Sequence, residues 1–216
     1  VLLVAALLFG GAAAPARATE EDDLTRTLRK IAAARASLKT LRAPFKQRRV
    51  IGLLATVVES TGTLTLVRAP PGAAPPQGAR LRWELAPPDA IVYWVGPEGL
   101  ALATREGVTR LPARQAGRFG LVLADLLVLV GGDLGTLRAR YALEAAVEAE
   151  RLLLSARPRA PELAKHVSRL RLRLGKEPWQ LERIEIHEPN GDHSVIDFGV
   201  GQRDAEIDPA IMKPPP

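Results

Sequence analysis

The sequence predicts a mainly β fold with helices: an incomplete antiparallel β-barrel, formed by one strongly curved sheet with helices across its mouth. Three observations predict it. Most of the chain after Pro44 falls into short runs in which apolar and polar residues alternate with period two. The runs are joined by turn residues, too few for helical crossovers, so neighbours in sequence pair antiparallel. Only two stretches keep helical spacing, so a sheet with one apolar face per strand has to curl to hide that face.

The 216 residues, 47% hydrophobic and 25% charged, suffice for one domain with a buried core. VLLVAALLF at the start, followed by small residues and Ala16-Arg17-Ala18, has the form of a secretion signal cleaved after Ala18. The run is about half the roughly 20 residues that a spanning helix needs. The expected organisation is therefore a signal over 1–18, a single domain over 19–213 and a tail over 214–216. Cysteine is absent, which excludes disulfides, a thiol nucleophile, a thiolate metal site and a lipid on an N-terminal Cys. A soluble exported protein is expected. The formal charge of +6, or +5 without Arg17, suits an anionic membrane surface, and export makes nucleic acid the poorer partner.

Taken in order, Thr19 to Leu41 reads as a helix with Leu24, Leu28, Ile31, Leu38 and Leu41 on one stripe, acidic residues at its start, Lys39 and Arg42 near its end, and Pro44 as its stop. Phe45 to Val58 reads as one long strand bent at Gly52. After Ser60-Thr61-Gly62 come Thr63 to Arg68 and Leu81 to Leu85, two strands joined by the Pro/Gly-rich stretch Ala69 to Ala79. Alternation puts Leu64, Leu66 and Arg68 on one face, and Leu81, Trp83 and Leu85 on one face of the next strand. Ile91 to Val95 and Leu100 to Thr104 form a hairpin about Gly96 to Gly99, and Val108 to Leu111 adds a sixth strand.

Arg114 to Val130 reads as a helix that is apolar on nearly all sides and ends at Gly131-Gly132, so it needs cover on more than one face. Sheet is expected again over Thr136 to Leu143, Ala145 to Ala156 and Leu170 to Leu174, with Arg157 to Pro161 a surface loop. In the last hairpin a two-residue Asn190-Gly191 turn would mix the two faces. A three-residue loop Pro189-Asn190-Gly191 instead pairs Ile184 with Ile196, Ile186 with Ser194 and Arg183 with Asp197. It places Ile184, Ile186, Ile196, Phe198 and Val200 together. Beyond Val200 the chain is polar and ends in Pro214 to Pro216, which is expected to be a loose tail.

Little here suggests chemistry. His187 and His193 are expected side by side next to the last turn, but no third ligand is suggested nearby, so no metal or other cofactor is expected. G-x-S-x-G and Walker patterns are absent, and Gly199-Val200-Gly201 lacks the third glycine and the following helix. The arginines alternating with Leu170, Leu172 and Leu174 lack the interleaved aromatics of an RNA-binding stripe and read as a solvated face. An enzyme is not expected.

Several residues together carry a resemblance: the export signal, the helix before Pro44, Phe45 with Gln47, Ser60-Thr61-Gly62-Thr63-Leu64 running to Arg68, Arg82-Trp83-Glu84, Pro87-Pro88-Asp89, the Gly96 to Gly99 turn, Arg183-Ile184-Glu185-Ile186 and Asp208-Pro209. Over roughly Asp22 to Pro214 the chain resembles the periplasmic outer-membrane lipoprotein carrier (LolA) family. The resemblance implies an incomplete barrel capped by helices, a soluble and monomeric periplasmic carrier, and acylated lipoprotein as cargo. It implies loading by an inner-membrane ABC-type release complex and delivery to an outer-membrane receptor. Arg68 matches the family arginine that holds the lid closed. The chain departs from the family pattern in the long linker Ala69 to Ala79 and the expanded stretch Arg157 to Lys165. With that fold, Leu64, Leu66, Leu81, Trp83, Leu85 and Tyr93 are the candidate cavity wall, and Leu28, Ile31, Val122 and Leu126 the candidate lid. The alternatives are a carrier for another lipid or glycolipid, or a polypeptide-binding sensor or adaptor.

Overall fold

The computed structural model describes residues 15–54, 56–68, 78–111, 117–131 and 134–215. Most of the expected signal, 1–14, and most of the expected linker, 69–77, lie outside the described residues. The first helix, α1, spans Pro15–Ala36, and twelve strands follow: β1 Thr40–Ile51, β2 Thr56–Val67, β3 Arg80–Leu85, β4 Val92–Gly96, β5 Gly99–Thr104, β6 Gly107–Leu111, β7 Tyr141–Glu148, β8 Arg151–Pro158, β9 Arg169–Leu174, β10 Leu181–His187, β11 His193–Phe198 and β12 Gln202–Arg203. Helices α2 (Gly117–Gly131) and α3 (Leu134–Arg140) come between β6 and β7, and the short α4 (Pro161–Ala164) follows β8. The strands form one antiparallel sheet, β6-β5-β4-β3-β2-β1-β11-β10-β9-β8-β7, with β12 paired to β1 beside β11. The path does not close: β6 and β7 are its free ends.

One face of this sheet holds the core. Leu41, Ala43 and Phe45 of β1 are buried while Arg42, Pro44 and Lys46 are exposed, and the same alternation runs through Leu81 and Trp83, Leu152 to Ala156, and Leu170 to Leu174. On the other face ion pairs lace the strands, among them Arg151–Glu182 at 2.7 Å, Arg173–Glu182 at 3.3 Å and Arg183–Asp197 at 2.6 Å. This is the solvated arginine face that the alternation predicts.

The final hairpin has the expected register, with Ile184 opposite Ile196 and Arg183 opposite Asp197. Gly191 sits at φ +88 and its N–H donates to the Glu188 carbonyl at 3.2 Å, the left-handed closing position of a three-residue loop. Val200 falls outside the strand and is 88% exposed, so it does not join the apolar row.

Three further expectations are corrected. Helix α1 ends at Ala36, five residues before Leu41, because the next backbone groups are taken by tertiary partners: Arg68 N–H donates to the Lys39 carbonyl at 2.9 Å and Lys39 N–H to Asp204 Oδ1 at 2.7 Å. Pro44 therefore stops no helix. It lies inside β1, where its carbonyl accepts from Gly199 N–H at 2.8 Å and its missing donor falls at the gap between β11 and β12.

Second, the stretch Phe45 to Val58 is not one bent strand. Gly52–Leu54 forms a 3₁₀ turn, and β1 and β2 pair along their whole length, from Thr40 opposite Val67 to Ile51 opposite Thr56. Ser60-Thr61-Gly62 is consequently mid-strand. Gly62 is required there by close approach: a Cβ would stand 2.4 Å from Phe45 Cζ and 2.1 Å from the Glu84 carbonyl oxygen.

Third, Thr136 to Arg140 is helical. Leu137 and Tyr141, both buried, are four apart and satisfy either period. The supposed single strand Ala145 to Ala156 is the β7–β8 hairpin, turned by Ala149 (φ 46) and Glu150 (φ 65). Neither residue type favours that left-handed conformation, so the turn carries no sequence signal.

The polar segment after Val200 is docked on the sheet. Beyond β12, Asp208 caps a 3₁₀ turn, Pro209–Met212, by accepting from Ala210 N–H at 2.9 Å. Trp94 Nε1 donates to the Ile211 carbonyl at 2.8 Å and Met212 is buried. Trp94 alternates with Tyr93 and Val95, so this segment covers a patch on the face opposite the main core.

Candidate functional site

The ten apolar residues expected as wall and lid are brought together. Leu64, Leu66, Leu81, Trp83, Leu28, Ile31, Val122 and Leu126 are buried in one cluster, with Leu85 and Tyr93 partly buried against it. Cross-strand pairing sets the wall: Leu64 stands opposite Trp83, Leu66 opposite Leu81 and Trp83 opposite Tyr93. The Phe45 ring lies 4.1 Å from that of Trp83, and Phe198 meets Trp83 edge-on at 6.1 Å. Burial also pushes up the Tyr93 pKa. In this arrangement side chains of α1 and α2 occupy the concave face themselves, where an open cavity was expected.

The sequence motifs close the same region. Ser60 Oγ donates to Asp89 Oδ2 at 2.6 Å and Ala86 N–H to the Thr61 carbonyl at 2.8 Å, which ties the Ser-Thr-Gly stretch of β2 to the segment after β3.

Arg68 follows directly on β2, on the face of Leu64 and Leu66. Its Nη1 donates to the Arg35 carbonyl, which also accepts from Leu38 N–H at 3.1 Å, in the last turn of α1, at the helix end that carries the partial negative charge. The side chain therefore bridges sheet and helix.

Arg35 itself is the residue that sequence reasoning missed. It is fully buried, and its pKa is pushed down to about 10 by burial and by the neighbouring Arg68 charge. A signal for it existed. Positions 28, 31, 35 and 38 share one stripe, and Arg35 stands where that stripe calls for an apolar residue. A cation there is either turned out or enclosed for a reason.

Asp125 is a second buried charge, on α2 beside Leu126. It accepts from Tyr141 Oη and pairs with Arg140 Nη1 at 2.8 Å, joining α2 to the start of β7. Burial raises its pKa, against the opposing effects of the Tyr141 hydrogen bond and the Arg140 charge, and burial with the Asp125 charge also pushes Tyr141 up.

His187 and His193 stack with ring centroids 5.9 Å apart, as the register requires. Among the described residues no three His, Asp or Glu come close enough to hold a metal ion. Among them, too, no helix is long and apolar enough to cross a membrane.

Fold and site together define a class: an open antiparallel sheet whose concave apolar face is closed by helices, with a guanidinium tying the first helix to the sheet. No protein-family model matches the sequence, and no curated protein matches it significantly. Solved structures do. A DUF1329 family protein from Desulfovibrio piger is 11% identical, matched over 88% of this chain and 97% of its own with a TM-score of 0.50. A candidate outer membrane lipoprotein-sorting protein domain from Vibrio parahaemolyticus is 10% identical, over 89% and 97%, with a TM-score of 0.50. A LolA superfamily protein from Nitrosomonas europaea is 9% identical over 88% and 97%, with a TM-score of 0.44. The chain shares the fold of the first two.

Proposed function

We propose that this protein is a periplasmic carrier that shelters the acyl chains of lipoproteins between its concave sheet and its helices, and moves them from the inner to the outer membrane. The observation that carries the reading is the Arg68 bond to α1 over an apolar face. Leu64, Leu66, Leu81, Trp83, Leu85 and Tyr93 are the wall that cargo reaches, Leu28, Ile31, Val122 and Leu126 the lid it displaces, and Arg68 the latch. An inner-membrane ABC-type complex loads it and an outer-membrane receptor unloads it.

The magnitudes suit exchange. One long chain gains roughly 10 kcal/mol on leaving water, at about 0.8 kcal/mol per methylene. Moving four lid side chains off the wall costs about 1.5–3 kcal/mol each, a sum of the same order. Two large terms of similar size leave the balance to a small one. The latch, a charge-assisted hydrogen bond of about 1.5–3 kcal/mol, is of the size that tips it.

The test is to purify the full chain from a periplasmic extract without detergent and identify bound molecules by mass spectrometry. Acylated peptide or lipoprotein supports the reading. Another lipid or glycolipid alone moves the cargo assignment within the same fold, and a polypeptide without acyl chains refutes the carrier role.

A further inference from the structure

A trough enclosing ≈ 980 Å³ opens at the β7 end of the sheet. One part is lined by Leu24 of α1 with Leu143 and Ala145, which alternate onto the core face of β7. Another is lined by Arg169, Arg171 and Arg173 of β9, on the opposite face. Because β7 ends the strand order, a space that reaches both α1 and the arginine row passes round its free edge. The wall of this space is thus apolar toward the helix and cationic toward the outside.

The cations exceed the acids. Arg138, Arg159, Arg169, Arg171, Arg173 and Arg183 line the trough against Glu144, Glu148 and Glu185, six to three. Some are already engaged. Arg173 and Arg183 stand directly opposite each other, and each leans to a carboxylate, Glu182 at 3.3 Å and Asp197 at 2.6 Å. Arg159 Nε donates to the Arg138 and Tyr141 carbonyls at 3.2 and 3.1 Å.

Arg171 is held less. It lies 3.8 Å from Glu185 with its side chain 53% exposed, opposite the hydroxyl of Ser155. Arg169 has no ion-pair partner among the described residues. The two are alternate residues of one strand, about 6.7 Å apart along it, within reach of a single tetrahedral anion by their long side chains.

We infer that this trough is the entrance for an anionic amphiphile of the phospholipid type, its phosphate held by Arg169 and Arg171 and its chain led past Leu143, round the β7 edge, toward α1. The inference rests on the carrier reading's sheltered apolar face and adds to it a second ligand class, a phosphate-headed lipid, and its route. The headgroup stays in water at the arginine face while the chain passes between apolar side chains, so neither end is left in an unsuitable medium.

The experiment measures binding of dihexanoyl phosphatidylglycerol, dihexanoyl phosphatidylcholine and inorganic phosphate, each below any micelle threshold, to the full chain by calorimetry. The Arg169→Gln/Arg171→Gln variant is compared with Lys46→Gln/Arg48→Gln, which removes equal charge from β1, outside the trough. The expected result is at least tenfold preference for phosphatidylglycerol over phosphatidylcholine, lost in the first variant and kept in the second. Retained phosphatidylcholine binding shows that the first variant is folded. Equal binding of the two lipids by the unaltered protein overturns the inference and leaves the carrier reading standing. Loss of preference in both variants overturns it in favour of a diffuse charge effect. Arginine-dependent binding of inorganic phosphate as tight as that of phosphatidylglycerol overturns the amphiphile assignment. Binding of neither lipid overturns the inference, while the carrier reading is decided separately by the acylated molecules that copurify with the protein.

Discussion

Replacing Arg68 by Leu tests the latch directly. The change removes a charged donor from the carbonyl of Arg35, worth about 1.5–3 kcal/mol in a partly buried setting. Against that stands a gain: Arg68 is the second cause, after burial, of the depressed Arg35 pKa, so its loss relieves a repulsion that the closed form carries. The net destabilisation of the closed form is about 1–2 kcal/mol. Where closed lid and cargo compete for the wall, that is about a 5- to 30-fold tighter apparent affinity. Titration with a fluorescent fatty-acyl probe measures it, and stopped-flow displacement by unlabelled lipid should show slower release by a similar factor. Arg68→Lys, which keeps the charge and the repulsion but offers one compact donor, should lie between the two. Unchanged or weaker affinity in Arg68→Leu, with the fold intact by circular dichroism, would refute the competition between lid and cargo.

Three further outcomes follow from other parts of the molecule. Gly62→Ala places a methyl group against the Glu84 carbonyl and the Phe45 ring, so urea unfolding should show a loss of about 3 kcal/mol or more, and a loss below 1 would contradict the close approach. Ala149→Asn with Glu150→Gly supplies residues suited to the two positive-φ positions of the β7–β8 turn and should raise stability by about 1 kcal/mol in the same assay; no gain would count against the turn geometry. Asp125, with a folded pKa above its ordinary 3.8, binds its proton in the fold before it does in the unfolded chain. The stability of the unaltered protein relative to Asp125→Asn should therefore rise as pH falls through the folded pKa toward 3.8 and level off below it. A difference that shrinks over that window would mean that the Arg140 and Tyr141 contacts outweigh burial.

Much of the apolar cluster was legible because a strand's two faces are written in its alternation. Period two alone put Leu64 and Leu66 on one face of their strand and Leu81 and Trp83 on one face of the next, and the last hairpin's register followed from requiring Ile184 and Ile196 on the same side. Helical period did the same for Leu28, Ile31, Val122 and Leu126. These are local properties, fixed by which neighbours a residue has in the chain.

Tertiary structure decided the places where backbone groups found distant partners. Where α1 ends depends on Arg68 and Asp204, more than 25 residues away in the sequence, and where β1 turns into β2 depends on full-length pairing that no bend signal at Gly52 distinguishes. The Ala149-Glu150 turn forms because the flanking strands hold it, against the preference of both residues. Arg35 shows the same division. Its position on the buried stripe is in the sequence, but that the stripe closes over a cation beside a second one is set by the packing of a helix against the end of a strand, and solvation there is a property of the whole enclosure.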